Sequence, residues 1–179
     1  TSLGQQLTPQ NSEEQIGRAE RLFSTKNYAD ALTAYGVLAT SFPASVTPLL
    51  QIRRLTAMAN TGKMIDAQSA FNSLPTSGKE REEGYRQLVL GYAKAKMWPQ
   101  ARATADEMRA KFPNGPLVAK TLIDAGLAAR DAKNRADEGY FLNTAVAAFP
   151  NAVEVATAQF EAACFQHESG NYAESSRMM

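Results

Sequence analysis

The sequence predicts an all-α protein, a right-handed α-α superhelix of nine to ten antiparallel helices. Three observations predict it. Apolar residues recur at helical spacing along the chain, and period-two alternation rich in β-branched or aromatic residues nowhere runs beyond four residues. Three segments align without gaps: NYADALTAYGVLATSFP (27–43), MWPQARATADEMRAKFP (97–113) and NRADEGYFLNTAVAAFP (134–150). Two shorter ones, KMIDAQSAFNSL (63–74) and NYAESSRMM (171–179), share their spacing. Taking Ala31, Ala67, Ala101, Glu138 and Ser175 as equivalent, the successive separations are 36, 34, 37 and 37.

The elements follow in order. Residues 1–11 read as a flexible N-terminal tail, and 12–179 as one superhelical domain. Ser12-Glu13-Glu14-Gln15 has the form of a capping box, with the Ser12 hydroxyl accepting from first-turn amides and Gln15 reaching back. Helices are predicted over about 12–25, 28–41, 45–60, 64–74, 79–95, 98–111, 115–132, 135–148 and 152–168, with a stub from 172. Pro43, Pro113 and Pro150 each follow a Phe and end a helix, because proline lacks an amide hydrogen and disfavours helix in the residue before it. Thr61-Gly62, Ser77-Gly78 and Ser169-Gly170 mark the remaining turns.

Period and residues together resemble the tetratricopeptide repeat family, from about Ser12 to Met179. That family places a small residue in the first helix, an aromatic opening the second, an Ala three residues on, an aromatic four beyond that, and a closing Pro. Repeat one supplies Ala19, Tyr28, Ala31, Tyr35 and Pro43; repeat two has Met64, Ala67 and Phe71 with Pro75 early; repeat three has Trp98, Ala101, Ala105 and Pro113. Repeat four keeps Gly126 and Pro150 but carries Arg135 and Glu138 at the aromatic and Ala positions, which predicts a shifted packing angle for its two helices. The repeats fall at about 12–43, 48–78, 82–113, 119–150 and 156–179, the last cut short, so the chain is expected to be part of a longer protein. Repeats ending in Phe-Pro and a small or polar residue are similar to divergent repeats of the bacterial cell envelope: outer-membrane assembly lipoproteins, the Tol-Pal coordinator, and the superhelical region of lytic transglycosylases. The resemblance implies a periplasmic or outer-membrane-associated setting, with the cytoplasm as the alternative.

Composition narrows the function. The 179 residues are 44% hydrophobic and 21% charged, enough to bury a core without disulfide or metal. A net charge of +1 supplies no field for nucleic acid, which is not expected as a partner. One cysteine, Cys164, precludes an internal disulfide, and with one histidine, His167, it falls short of a structural zinc ligand set, so no metal or cofactor is expected. No apolar run approaches the roughly 18 residues of a membrane span. Gly62-Lys63 lacks the flanking residues of a phosphate-binding loop. Cys164 and His167 share a helix face without an orienting third group, and the carboxylates of Glu13-Glu14, Glu80-Glu82-Glu83 and Asp137-Glu138 read as solvated helix starts. The chain is therefore expected not to be an enzyme, although a catalytic domain outside it is compatible with the transglycosylase resemblance.

The resemblance implies a protein-protein interaction scaffold that grips a peptide or partner protein on the concave face formed by the first helices. Its groove positions map to Ile52, Arg86, Leu90, Ile123, Leu127, Arg130, Phe160 and His167, with Ile16, Glu20 and Phe23 in the first repeat. The Lys and Asn of the family's carboxylate clamp are missing there, whereas Arg86 and Arg130 along an apolar groove suit a segment with one or two acidic residues. The alternative reading is a non-catalytic helical region of a larger cell-wall-cleaving enzyme.

Overall fold

The computed structural model describes residues 11–150 and 155–178, so most of the expected tail and the predicted start of the ninth helix at 152 lie outside the described residues. Among the described residues there are ten α-helices and no strand. They are α1 (Ser12–Ser24), α2 (Tyr28–Ser41), α3 (Pro48–Asn60), α4 (Met64–Asn72), α5 (Lys79–Lys94), α6 (Trp98–Lys111), α7 (Val118–Asp131), α8 (Arg135–Ala148), α9 (Val155–Glu168) and α10 (Tyr172–Met178). Two predicted starts move. A 3-10 turn over Pro43–Ser45 occupies the chain where α3 was expected to begin, and α7 begins three residues late, after the Pro116-containing turn. The chain divides into two compact units within α5, one ending at Gly91 and the other beginning at Tyr92.

Each second helix is entered through the same turn. The residue two before it is left-handed: Lys26 (φ 59), Gly62 (φ 77), Lys96 (φ 58), Lys133 (φ 58) and Gly170 (φ 82). In each turn the next amide reaches back five residues, Asn27 to Leu22, Lys63 to Met58, Met97 to Tyr92, Asn134 to Ala129 and Asn171 to Gln166, at 2.8–3.0 Å. The left-handed residue's own amide bonds three back, as in Lys26 to Phe23 at 2.9 Å and Lys133 to Arg130 at 2.8 Å. This is a Schellman closure, which satisfies carbonyls that a helix end leaves without partners. The two glycines were legible as turns; the three lysines were not. The other helix ends also repeat: Phe42, Phe112 and Phe149 have φ between −129° and −137°, and their amides close onto Leu38, Met108 and Ala145.

The predicted capping box at Ser12 is corrected. The N-cap is Asn11, whose Oδ1 accepts from the Glu14 amide at 2.9 Å. Gln15, instead of reaching back, is fully buried and donates from Nε2 to the Ala34 carbonyl of α2 at 2.6 Å.

Packing follows one frame in every second helix. The fourth residue is sealed in all five: Ala31, Ala67, Ala101 and Glu138 at 0% exposure and Ser175 at 3%. Four and seven residues further on, Tyr35 and Leu38, Phe71 and Leu74, Ala105 and Met108, and Leu142 and Ala145 are buried as well. That is the i, i+4, i+7 stripe of a helix pressed on its neighbours. In the first unit, Ala19, Ala31, Ala34, Tyr35, Leu38 and Leu50 form a core flanked by Phe23, Phe42 and Val46. Tyr85 of α5 meets Phe71 edge-on at 4.6 Å. In the second unit, a Cβ on Gly126 of α7 would lie 2.8 Å from Leu142, so the helices touch where side chain is absent.

Relief of left-handed strain is expected to exceed the chain entropy that glycine adds to the unfolded state. Lys26→Gly, Lys96→Gly and Lys133→Gly should each raise unfolding free energy by a few tenths to about 1 kcal/mol, while Lys133→Val should lower it by about 1–2 kcal/mol. Urea denaturation followed by circular dichroism checks this, and equal stability of the Lys133→Gly and Lys133→Val variants would contradict the turn assignment.

Candidate functional site

The first helices carry the expected groove positions, but not all of them reach the surface. Ile52 and Ile123 are 7% and 6% exposed and serve as packing residues. Leu90, Leu127 and Arg86 are half-buried, and Arg86 lies 3.4 Å from the Glu83 carboxylate. Phe160 is 59% exposed, an uncommon position for so large an apolar group, and His167 lies exposed and edge-on to Tyr172 at 5.0 Å. In the first unit, Glu20 of α1 accepts from the Tyr35 hydroxyl at 2.8 Å and pairs with Arg53 of α3. Phe23 lies beneath the Arg53 guanidinium at 5.7 Å.

Arg130 is not a free cation. Its Nε donates to Glu138 at 2.9 Å, and its Nη1 pairs with Glu161 of α9. Burial lowers its pKa, but hydrogen bonds to Glu138 and Glu161 outweigh that and raise it overall. An acidic ligand side chain would have to compete with two carboxylates already in place. Arg135 reaches the other Glu138 oxygen at 2.9 Å and Glu168 at 2.6 Å, and these bonds raise its pKa in turn.

The expectation of solvated carboxylates is therefore corrected at three positions. Glu82 and Asp137 are 5% exposed and Glu138 is fully buried, whereas Glu13 and Glu14 are exposed as predicted. A buried carboxylate persists only when paired, and the pairs come from outside the periodic pattern. Arg102 of α6 donates to Asp137 at 2.5 Å and lies 4.5 Å over the Tyr140 ring, and the Tyr140 hydroxyl donates to Asp106 at 2.7 Å. Burial and that bond push the Tyr140 pKa up to about 12.

These clusters are structural in geometry. They join helices, and their carboxylates are held by arginine or tyrosine partners. Among the described residues no helix is long and apolar enough to cross a membrane. One opening in the first unit was not anticipated: about 520 Å³ between α2 and α4, lined also by Arg54 and Met58 of α3.

No protein-family model matches the chain, and no curated protein does. Solved structures do. The nearly identical TPR-like repeats of a Podosopora anserina kinesin light chain-like protein superpose with a TM-score of 0.62 at 12% identity, over 95% of this chain and 93% of that one. A MamA RS-1 double mutant gives 0.61 at 14% identity over 96% and 92%, and another MamA structure 0.58 at 11% over 93% and 87%. The chain has the fold of TPR-like repeat proteins. Identity this low carries the fold alone; within that frame Glu138 occupies a position that three other repeats fill with alanine.

Removing both arginines while keeping Glu138 would strand a carboxylate inside this TPR-like unit. Arg130→Ala with Arg135→Ala should cost about 3–5 kcal/mol in urea denaturation, and adding Glu138→Ala should restore most of it. A triple variant no more stable than the double one would refute this account.

Proposed function

We propose that the protein is a protein-protein interaction scaffold that binds a peptide or a helix of a partner protein through its first helices. The observation that carries this reading is Phe160, a phenylalanine 59% exposed on a first helix, in a TPR-like fold whose other aromatics are mostly packed away. Exposed aromatic groups are costly in water and favoured as interface anchors. Each unit offers a half-buried leucine on a first helix, Leu90 on α5 beside Arg86 and the packed Ile52 in the first, and Leu127 on α7 with Arg130, His167 and the packed Ile123 in the second. Because Arg130 is already paired, the reading rests on apolar contact more than on charge. The TPR-like fold supports a protein partner. A bacterial cell-envelope setting, periplasmic or at the outer membrane, is part of the proposal and rests on the Phe-Pro repeat endings at 42–43, 112–113 and 149–150.

An affinity pull-down from the source cell, read by quantitative mass spectrometry, tests this reading. Leu90→Glu with Leu127→Glu should reduce recovery of specific partners by about tenfold or more, as charges in an apolar contact do. Ile65→Glu, placed at an 88% exposed site on α4, should leave recovery unchanged. Equal recovery by a folded double variant would sink the proposal.

A further inference from the structure

The repeat allows the two units to be compared position by position, and the comparison isolates one groove. The left-handed turn residues align Lys26 with Lys96 and Gly62 with Lys133, so Leu32 corresponds to Arg102, Arg54 to Ala125, Asp66 to Asp137, Ser69 to Tyr140 and Ala70 to Phe141. In the second unit the space between second helices α6 and α8 is bridged, and the opening left beside Trp98, Arg102 and Asp137 is smaller, about 240 Å³. Arg102 bridges to Asp137 and stacks on Tyr140, which is tied to Asp106, while Ala125 and Phe141 are fully buried at the floor.

In the first unit every one of those closing groups except the aspartate is absent. Leu32 stands where Arg102 would be, leaving Asp66 without an ion pair among the described residues, and Ser69 replaces the tyrosine. Ala70 replaces the floor phenylalanine, and Arg54 replaces the alanine. The result is the opening of about 520 Å³ between α2 and α4, within the range of binding sites. A second recess of about 120 Å³, walled by Tyr35, Leu38, Val46 and Leu50, adjoins it and shares Arg54. Among the described residues Arg54 meets no carboxylate, and its Nε, sealed from solvent, has no hydrogen-bond acceptor. A guanidinium at a core-facing position, with an unsatisfied buried N–H, is suited to an acceptor that arrives from outside.

We propose that the α2–α4 groove is a second binding site, which takes a peptide segment of a partner protein with a carboxylate on Arg54 and an apolar side chain in the adjoining recess. The charges select this occupant. The lining carries two cations, Arg54 and Lys63, against one carboxylate, Asp66, so a single carboxylate beside an apolar residue matches its charge better than a polyanion. The proposal takes from the scaffold reading only that the occupant is a peptide. It involves neither Leu90 nor Leu127, so either can fail alone.

The test is a titration of the full 179-residue chain, ¹⁵N-labelled, with acetyl-Leu-Glu-Leu-amide, acetyl-Leu-Gln-Leu-amide and inorganic phosphate, at constant ionic strength. The Glu peptide is expected to give saturable shifts at the amides of Leu32, Thr33, Arg54, Ala70 and Ser73, and to bind about tenfold or more tightly than the Gln peptide. Arg54→Gln should lose that preference, and Leu32→Arg should abolish binding by bridging to Asp66 as Arg102 does to Asp137. Both variants are checked for folding by their unshifted second-unit amides. Equal binding of the two peptides, undiminished preference in folded Arg54→Gln, shifts confined to other helices, or no saturable shift would each overturn the proposal. Stronger shifts with phosphate would assign the groove to small anions and overturn it as well.

Discussion

The fourth residue of the first three second helices leaves room for a methyl group and little more, and the stacking of those helix pairs depends on it. Ala31, Ala67 and Ala101 have no exposed surface, and from each the helix presents its next large side chain, Tyr35, Phe71 or Met108, to the surrounding helices. Close approach at the small residue is what lets those larger groups reach full contact, since interiors pack at crystal-like density and a widened gap forfeits dispersion on both sides. The entry turn serves the same end. A Schellman closure reverses the chain within three residues and fixes where the second helix begins, so its fourth residue always faces inward. Lysine is tolerated in the left-handed position at 26, 96 and 133 because the two backbone bonds of the turn offset a strain of about 1–2 kcal/mol.

Glu138 shows how the constraint bends without breaking. A carboxylate occupies the alanine position, and close approach in this part of the unit falls to glycines instead. Gly126 lets α7 touch Leu142, and Gly139 lets Phe165 approach to where a Cβ would lie 2.7 Å away. Charge is handled by Arg130 and Arg135, each of which also reaches an α9 carboxylate, Glu161 and Glu168 respectively. One buried acid thereby couples α7, α8 and α9. Such a cluster contributes less to stability than an apolar packing of the same volume, because desolvation consumes most of the attraction. What it contributes instead is a fixed relation between three helices.

How much of this was legible in the sequence depends on which physical signal carried it. Most helix positions, the five-fold period and the small fourth residue of the first three repeats follow from apolar spacing and proline, which act locally. The N-cap was misplaced by one residue because Asn11 and Ser12 are both competent caps, and Gln15 was drawn into a tertiary bond to Ala34 that no local pattern encodes. Asp137 and Glu138 were read as solvated because acidic residues at a helix start ordinarily are. Their arginine partners lie up to 35 residues away, and only the fold brings them together. At Arg54 a signal was present but unread: aligned by its turn glycine, the position falls on Ala125, a core residue. An arginine at a core position of a repeat is a departure of the same kind as Glu138, and differs in having no charged partner among the described residues.

That difference separates two uses of the same frame. Where a charged residue interrupts the apolar stripe and finds its counter-ion on a neighbouring helix, as Glu138, Asp137 and Glu20 do, the charge is consumed in holding helices together. Where it finds none, the desolvation of its polar atoms is uncompensated within the chain, and such a group is retained at a cost to stability unless something else supplies the acceptor. In a repeat protein the contrast is unusually clear, because each position has its own control a repeat away. Ala125 demonstrates that the frame is satisfied by a small apolar residue at that place, so packing does not require arginine at 54. The frame alone does not account for Arg54, and at the α2–α4 groove sequence and packing diverge.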